Sequence, residues 1–179
     1  MKKIVVIFAI ATIIGYVVIG RDPRAGSPSS EAREVREQRR EQRQAAMEQQ
    51  IDSIVRARSF RFLPQTMQLE PAGRMVMLSN PSFEVWIDGG ASDIFIPYIK
   101  GIAPPYSHVI LNSTIVSMDG YTTEQTTNGW SVTFSSSLYS GSEYTFTFDI
   151  YSKVGTATLV VDNPWFNEVS YSGVITKIY

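Results

Sequence analysis

Residues 144–150 read Tyr-Thr-Phe-Thr-Phe-Asp-Ile, with apolar and polar side chains taking strict turns. Successive side chains of a strand point to opposite faces, so this segment has one dry face and one wet face. That requirement narrows the fold more than any other feature. A sheet that is wet on one side is antiparallel, because parallel sheets are covered by helices on both faces. Further runs of strand-favouring residues accompany it at 60–62, 75–77, 83–87, 94–96, 114–118, 130–134, 156–160 and 169–175. Turn signals separate them: Pro71-Ala-Gly73, Asp88-Gly-Gly90, Asp119-Gly120, Asn128-Gly129, Ser140-Gly141 and Lys153-Val-Gly155. Eight or nine short strands at this spacing predict a mainly β domain over residues 59–179, built as an antiparallel sandwich or a partly open barrel.

The segment before this domain has a different period. Residues 31–58 are mostly Ala, Arg, Glu and Gln, with neither Gly nor Pro, and predict a helix capped by Ser30. At about 1.5 Å per residue it reaches roughly 40 Å. Residues 36–44 contain no apolar side chain, so no coiled-coil seam runs through them. Met47, Ile51, Ile54 and Val55 do share one side, which predicts that the last turns dock on the β domain. Seven arginines and six acids nearly cancel along the helix, which argues against a nucleic-acid arm. Pro23, Gly26, Pro28 and the serines mark residues 21–30 as a linker.

Residues 1–20 begin with Lys2-Lys3 and continue in an unbroken apolar run from 4 to 19. Cations followed by an apolar run make an export segment, either a cleaved signal peptide or an uncleaved membrane anchor. The run exceeds the roughly 7–15 residues of a signal core and falls short of the about 20 of a full span. The expected location is the periplasm, free or anchored facing it, with membrane contact only through this segment. The chain contains no cysteine, which removes disulfides, thiolate catalysis and cysteine zinc sites.

Several residues together resemble the bacterial domain-of-unknown-function family numbered 4251. They are the Phe-rich entry over residues 60–67, the loop Ile96-Pro97-Tyr98-Ile99-Lys100-Gly101, and the C-terminal pair Gly155-Thr-Ala157-Thr-Leu159-Val-Val161 and Val169-Ser-Tyr171-Ser-Gly173-Val-Ile175. Lys100 stands where the family pattern leads one to expect Gly. The likeness covers roughly residues 39–175. It implies an exported, all-β protein and brings no activity, cofactor or catalytic residue with it.

The residues themselves point away from most chemistries. His108 is the only histidine, so a triad or a histidine metal site lacks its parts, and it reads as a loop residue. No glycine-rich phosphate loop or nucleophile elbow is present. No catalytic residue, metal or cofactor is expected. The β domain carries ten acids against five bases. Asp88-Gly-Gly-Ala-Ser-Asp93 matches no calcium motif and reads as a hairpin turn.

Two aromatic segments remain: residues 97–108, with Tyr98 and Tyr106 among three prolines, and Asn163-Pro-Trp165-Phe166-Asn167. Such segments either fold back to plug the end of a barrel or present a contact surface. Tyr98, Tyr106, Trp165 and Phe166 are therefore the candidate binding residues. The leading expectation is a non-enzymatic cell-envelope module that binds a protein or small ligand through these loops. The alternative, from the acidic surplus, is a carboxylate-dependent hydrolase acting on envelope glycans.

Overall fold

In the computed structural model the described residues are 28–101, 103–138 and 142–179. The expected export segment, most of the linker and the Ser140-Gly141 turn lie outside them. Contacts divide the chain into two compact units, Met1–Arg36 and Glu37–Tyr179. The described part of the first is the opening of helix α1, Pro28–Arg56. The second holds the rest of α1 and ten strands. These are β1 (Ser59–Leu69), β2 (Val76–Met77), β3 (Glu84–Asp88), β4 (Ala91–Lys100), β5 (Ser107–Ile115), β6 (Asp119–Thr126), β7 (Gly129–Leu138), β8 (Ser142–Tyr151), β9 (Thr156–Asp162) and β10 (Val169–Thr176).

All strands belong to one antiparallel sheet in the order β5-β4-β3-β1-β10-β9-β8-β7-β6, with short β2 beside β1. Tyr98 of β4 meets Tyr144 of β8 edge to face at 5.6 Å, although four strands separate β4 from β8 in the sheet. The sheet is therefore rolled on itself. It is not closed, since β5 and β6 are its two edges. Of the two expected architectures, the partly open barrel is the one adopted.

The alternation of residues 144–150 becomes β8, and Phe146, Phe148 and Ile150 are buried in the core. Phe148 touches Phe60 and Phe62 edge to face at 5.8 and 5.5 Å, while Phe134 stacks on Phe146 at 5.0 Å. Such pairs contribute about 0.5–1.5 kcal/mol each beyond the area they bury. The inside of the roll is packed with side chains. Gly173 of β10 crosses β1 so closely that a Cβ there would stand 2.2 Å from the Leu63 carbonyl oxygen. The β3–β4 hairpin turns on Gly89 at φ +62, the left-handed region in which glycine is unstrained.

The helix docks where expected. Ile51, Ile54 and Val55 are buried in the core, whereas residues 37–47 are exposed. Arg58, at φ 51, turns the chain out of the helix into β1.

Four expectations need correction. Pro28–Ser30 open the helix and are not linker, because proline's fixed φ suits a first turn whose N–H groups have no intrahelical partner. Residues 97–100 and 107–108 are strand, so His108 lies in β5 and Tyr98 in β4. Pro97 is tolerated there because it stands past the last pair of β4 with β3, Glu84 opposite Phe95. The strand expected at 114–118 ends at Ile115, and Asp119-Gly120 begins β6, a strand no run announced.

Candidate functional site

The two aromatic segments meet at the end of the sheet opposite α1. Lys100, the last residue of β4, sets its Nζ 4.4 Å from the ring centroid of half-buried Phe166. The Asn167 side-chain amide donates to the Ile99 carbonyl at 3.5 Å, and the Asn167 backbone carbonyl accepts the Tyr98 hydroxyl. The ring of Tyr106 lies 3.6 Å from where a Cβ on Gly101 would stand, beside Lys100. Tyr106 is exposed on this rim.

Asn163 organises the β9–β10 connection. It is buried, and its amide nitrogen donates to the Glu143 carbonyl at 2.7 Å. Its amide oxygen accepts the Trp165 N–H at 2.9 Å, and its backbone carbonyl accepts the Phe166 N–H at 3.1 Å. An asparagine that holds the chain two residues on is an Asx turn. The turn fixes the backbone of Trp165, whose side chain is 70 % exposed.

Of the four residues singled out from sequence, Tyr98 is corrected: it is fully buried and belongs to the core. With Tyr144 and Tyr171 it forms a buried tyrosine group, and the Tyr171 hydroxyl donates to the Pro97 carbonyl. Burial pushes the Tyr98 hydroxyl far above the ordinary tyrosine range, with Tyr144 and Asp162 adding to the rise. Burial, then Tyr98, does the same for Tyr171. Trp165, Phe166 and Tyr106 remain at the rim. Sequence reading missed Lys100, Asn163 and Asn167, although Asn163-Pro164 is itself a turn signal.

A second feature lies on the outer face of the sheet. Thr114 of β5, Asp93 of β4, Trp86 of β3, Arg61 of β1 and Thr176 of β10 stand opposite one another in one cross-strand row. Arg61, Glu84, Trp86 and Asp93, together with Lys177 and Tyr179 after β10, line a cleft of about 440 Å³. Arg61 forms an ion pair with Glu84, and Asp93 accepts the Thr114 hydroxyl at 3.1 Å. Asp88 stands at the β3–β4 hairpin, outside this row. Among the described residues no three His, Asp or Glu side chains gather as metal ligands, and no helix is long and apolar enough to cross a membrane.

These features define the class: a rolled, open antiparallel sheet with a helix on one end and an aromatic rim on the other. The chain belongs to the family Domain of unknown function (DUF4251), whose model matches residues 42–175. The crystal structure of a DUF4251 family protein from Bacteroides eggerthii DSM 20697 is similar, with a TM-score of 0.57 and 15 % sequence identity. The match covers 75 % of this chain and 91 % of that one, and at this identity it speaks to the fold alone. No curated protein matches the chain.

Proposed function

We propose that this protein is an exported, non-enzymatic binding module of the cell envelope whose contact surface is the rim of Trp165, Phe166, Tyr106 and Lys100. One observation carries the reading. Asn163 is spent on fixing the Trp165 backbone, yet the indole is left 70 % exposed. An exposed tryptophan on a fixed backbone contributes little to the core and loses little freedom on binding, which is how contact anchors behave. Lys100 over Phe166 and exposed Tyr106 add a cation and a second aromatic to the same end. Export is supported by Lys2-Lys3 and the apolar run that follows.

The test is capture from a solubilised envelope fraction by the tagged full chain and by its Trp165→Ala, Tyr106→Ala double variant. The wild type is expected to retain a partner that the variant loses while both melt alike; equal capture by the two refutes the reading. Hydrolysis by paired carboxylates would have Glu84 and Asp93 to work with, but both are engaged, one by Arg61 and the other by Thr114. The cleft is therefore read as a binding site. Incubation of the protein with envelope polysaccharides is expected to release no sugar.

A further inference from the structure

We propose that the outer-face cleft around Trp86 is a binding site for a neutral pyranose sugar, separate from the aromatic rim. The cross-strand row puts an aromatic ring at the centre and opposite charges on either side. Asp93 is one strand from Trp86 and Arg61 one strand the other way. Strands lie about 4.8 Å apart, so the two charged groups are rooted about 10 Å apart across the indole. A pyranose ring lying on the indole presents its C–H face to the aromatic surface. Its hydroxyls at both edges then fall towards Asp93 and Arg61. Every hydroxyl both donates and accepts, so a carboxylate on one side and a guanidinium on the other satisfy the same kind of group.

The charges of the lining balance. Arg61 and Lys177 are balanced by Glu84 and Asp93. A charged ligand of either sign meets two charges of its own sign beside two of the opposite sign, so the balanced cleft favours neither an anion nor a cation over a neutral polyol. The cleft volume of about 440 Å³ falls within the range of roughly 300–1,000 Å³ usual for small-molecule sites. Arg61 and Asp93 are already held, by Glu84 and Thr114, so little side-chain freedom is lost when a sugar arrives.

The experiment uses the full chain in a detergent without a sugar headgroup. Maltotriose, cellotriose, xylotriose and mannotriose are titrated in turn and followed by saturation-transfer NMR. At least one is expected to bind saturably at millimolar concentration. Trp86→Ala is expected to weaken that binding on the order of tenfold, the loss of one stacked aromatic contact. Trp165→Ala is expected to leave it unchanged. If Trp86→Ala does not fold, Asp93→Ala, an exposed position, carries the same expectation. The proposal fails if none of the four sugars binds saturably up to its solubility limit, or if binding survives the cleft substitutions. Binding lost in Trp165→Ala and kept in Trp86→Ala also overturns it, and assigns the sugar to the rim. Failure at the cleft leaves the rim reading standing, because the two rest on different residues.

Discussion

Trp130 and Trp165 stand at opposite ends of one sheet and are treated in opposite ways. At the helix end, Trp130 is 8 % exposed and its Nε1 donates to Asp52 of α1 at 2.8 Å. The same Asp52 oxygen accepts the hydroxyl of buried Ser152 at 3.1 Å, and the Arg56 guanidinium lies 5.4 Å from the Trp130 ring centroid. At the rim, a buried asparagine fixes only the backbone of Trp165 and leaves the ring in water. A buried tryptophan with its N–H satisfied contributes to the fold. An exposed one held at its backbone contributes almost nothing there and is available for recognition. The difference separates the end that stabilises this molecule from the end proposed to bind.

Substitutions at the helix end should therefore be felt in stability and those at the rim in binding. Ile51→Ala empties a fully buried position under the helix and is expected to cost about 2–5 kcal/mol, read as a lower denaturant midpoint. A comparable loss of stability measured for Trp165→Ala would erase the distinction.

The buried tyrosines give the next effect. Tyr98 and Tyr171 ionise in the unfolded chain near pH 10 and well above that when folded. The folded state then holds more protons than the unfolded one above pH 10, so stability is intact below that pH and falls as pH rises past it. The slope is at most about 1.4 kcal/mol per pH unit for each tyrosine. Denaturant midpoints between pH 9 and 11 will measure it, and Tyr98→Phe should flatten the fall. No added alkaline sensitivity in the wild type would place these rings in water.

Asp52→Ala leaves the Trp130 and Ser152 donors without their acceptor and is expected to cost about 1–3 kcal/mol. Asp52→Asn keeps an acceptor oxygen and should cost less, as urea titration of the pair will show. Trp165→Ala is the smallest, within about 0.5 kcal/mol of wild type by the same titration.

The parts of the fold that were legible are those where one side chain had one job. Residues 144–150 alternate because one face of β8 meets the core and the other meets water. Met47, Ile51, Ile54 and Val55 fall on one side of α1, and the last three are buried in the core. β6 escaped because it is an edge strand, and its residues Asp-Gly-Tyr-Thr-Thr-Glu-Gln-Thr carry no apolar alternation to reveal it. Tyr98 was misplaced for a related reason. Proline at 97 reads as loop, and only the sheet order shows that β3 has already ended there. The rim was half legible. Its aromatics stood out, but the residues that position them, Asn163 and Asn167, act through backbone carbonyls of segments 20 and 68 residues away. The outer cleft was illegible, since Arg61, Trp86 and Asp93 become neighbours only through strand register.

The separation of roles is tested most directly by measuring Trp165→Ala twice, once by thermal melting and once by capture from the envelope fraction. A melting curve that overlays the wild type together with loss of the captured partner is the expected result. Undiminished capture with the fold intact, or a variant that unfolds, would contradict it.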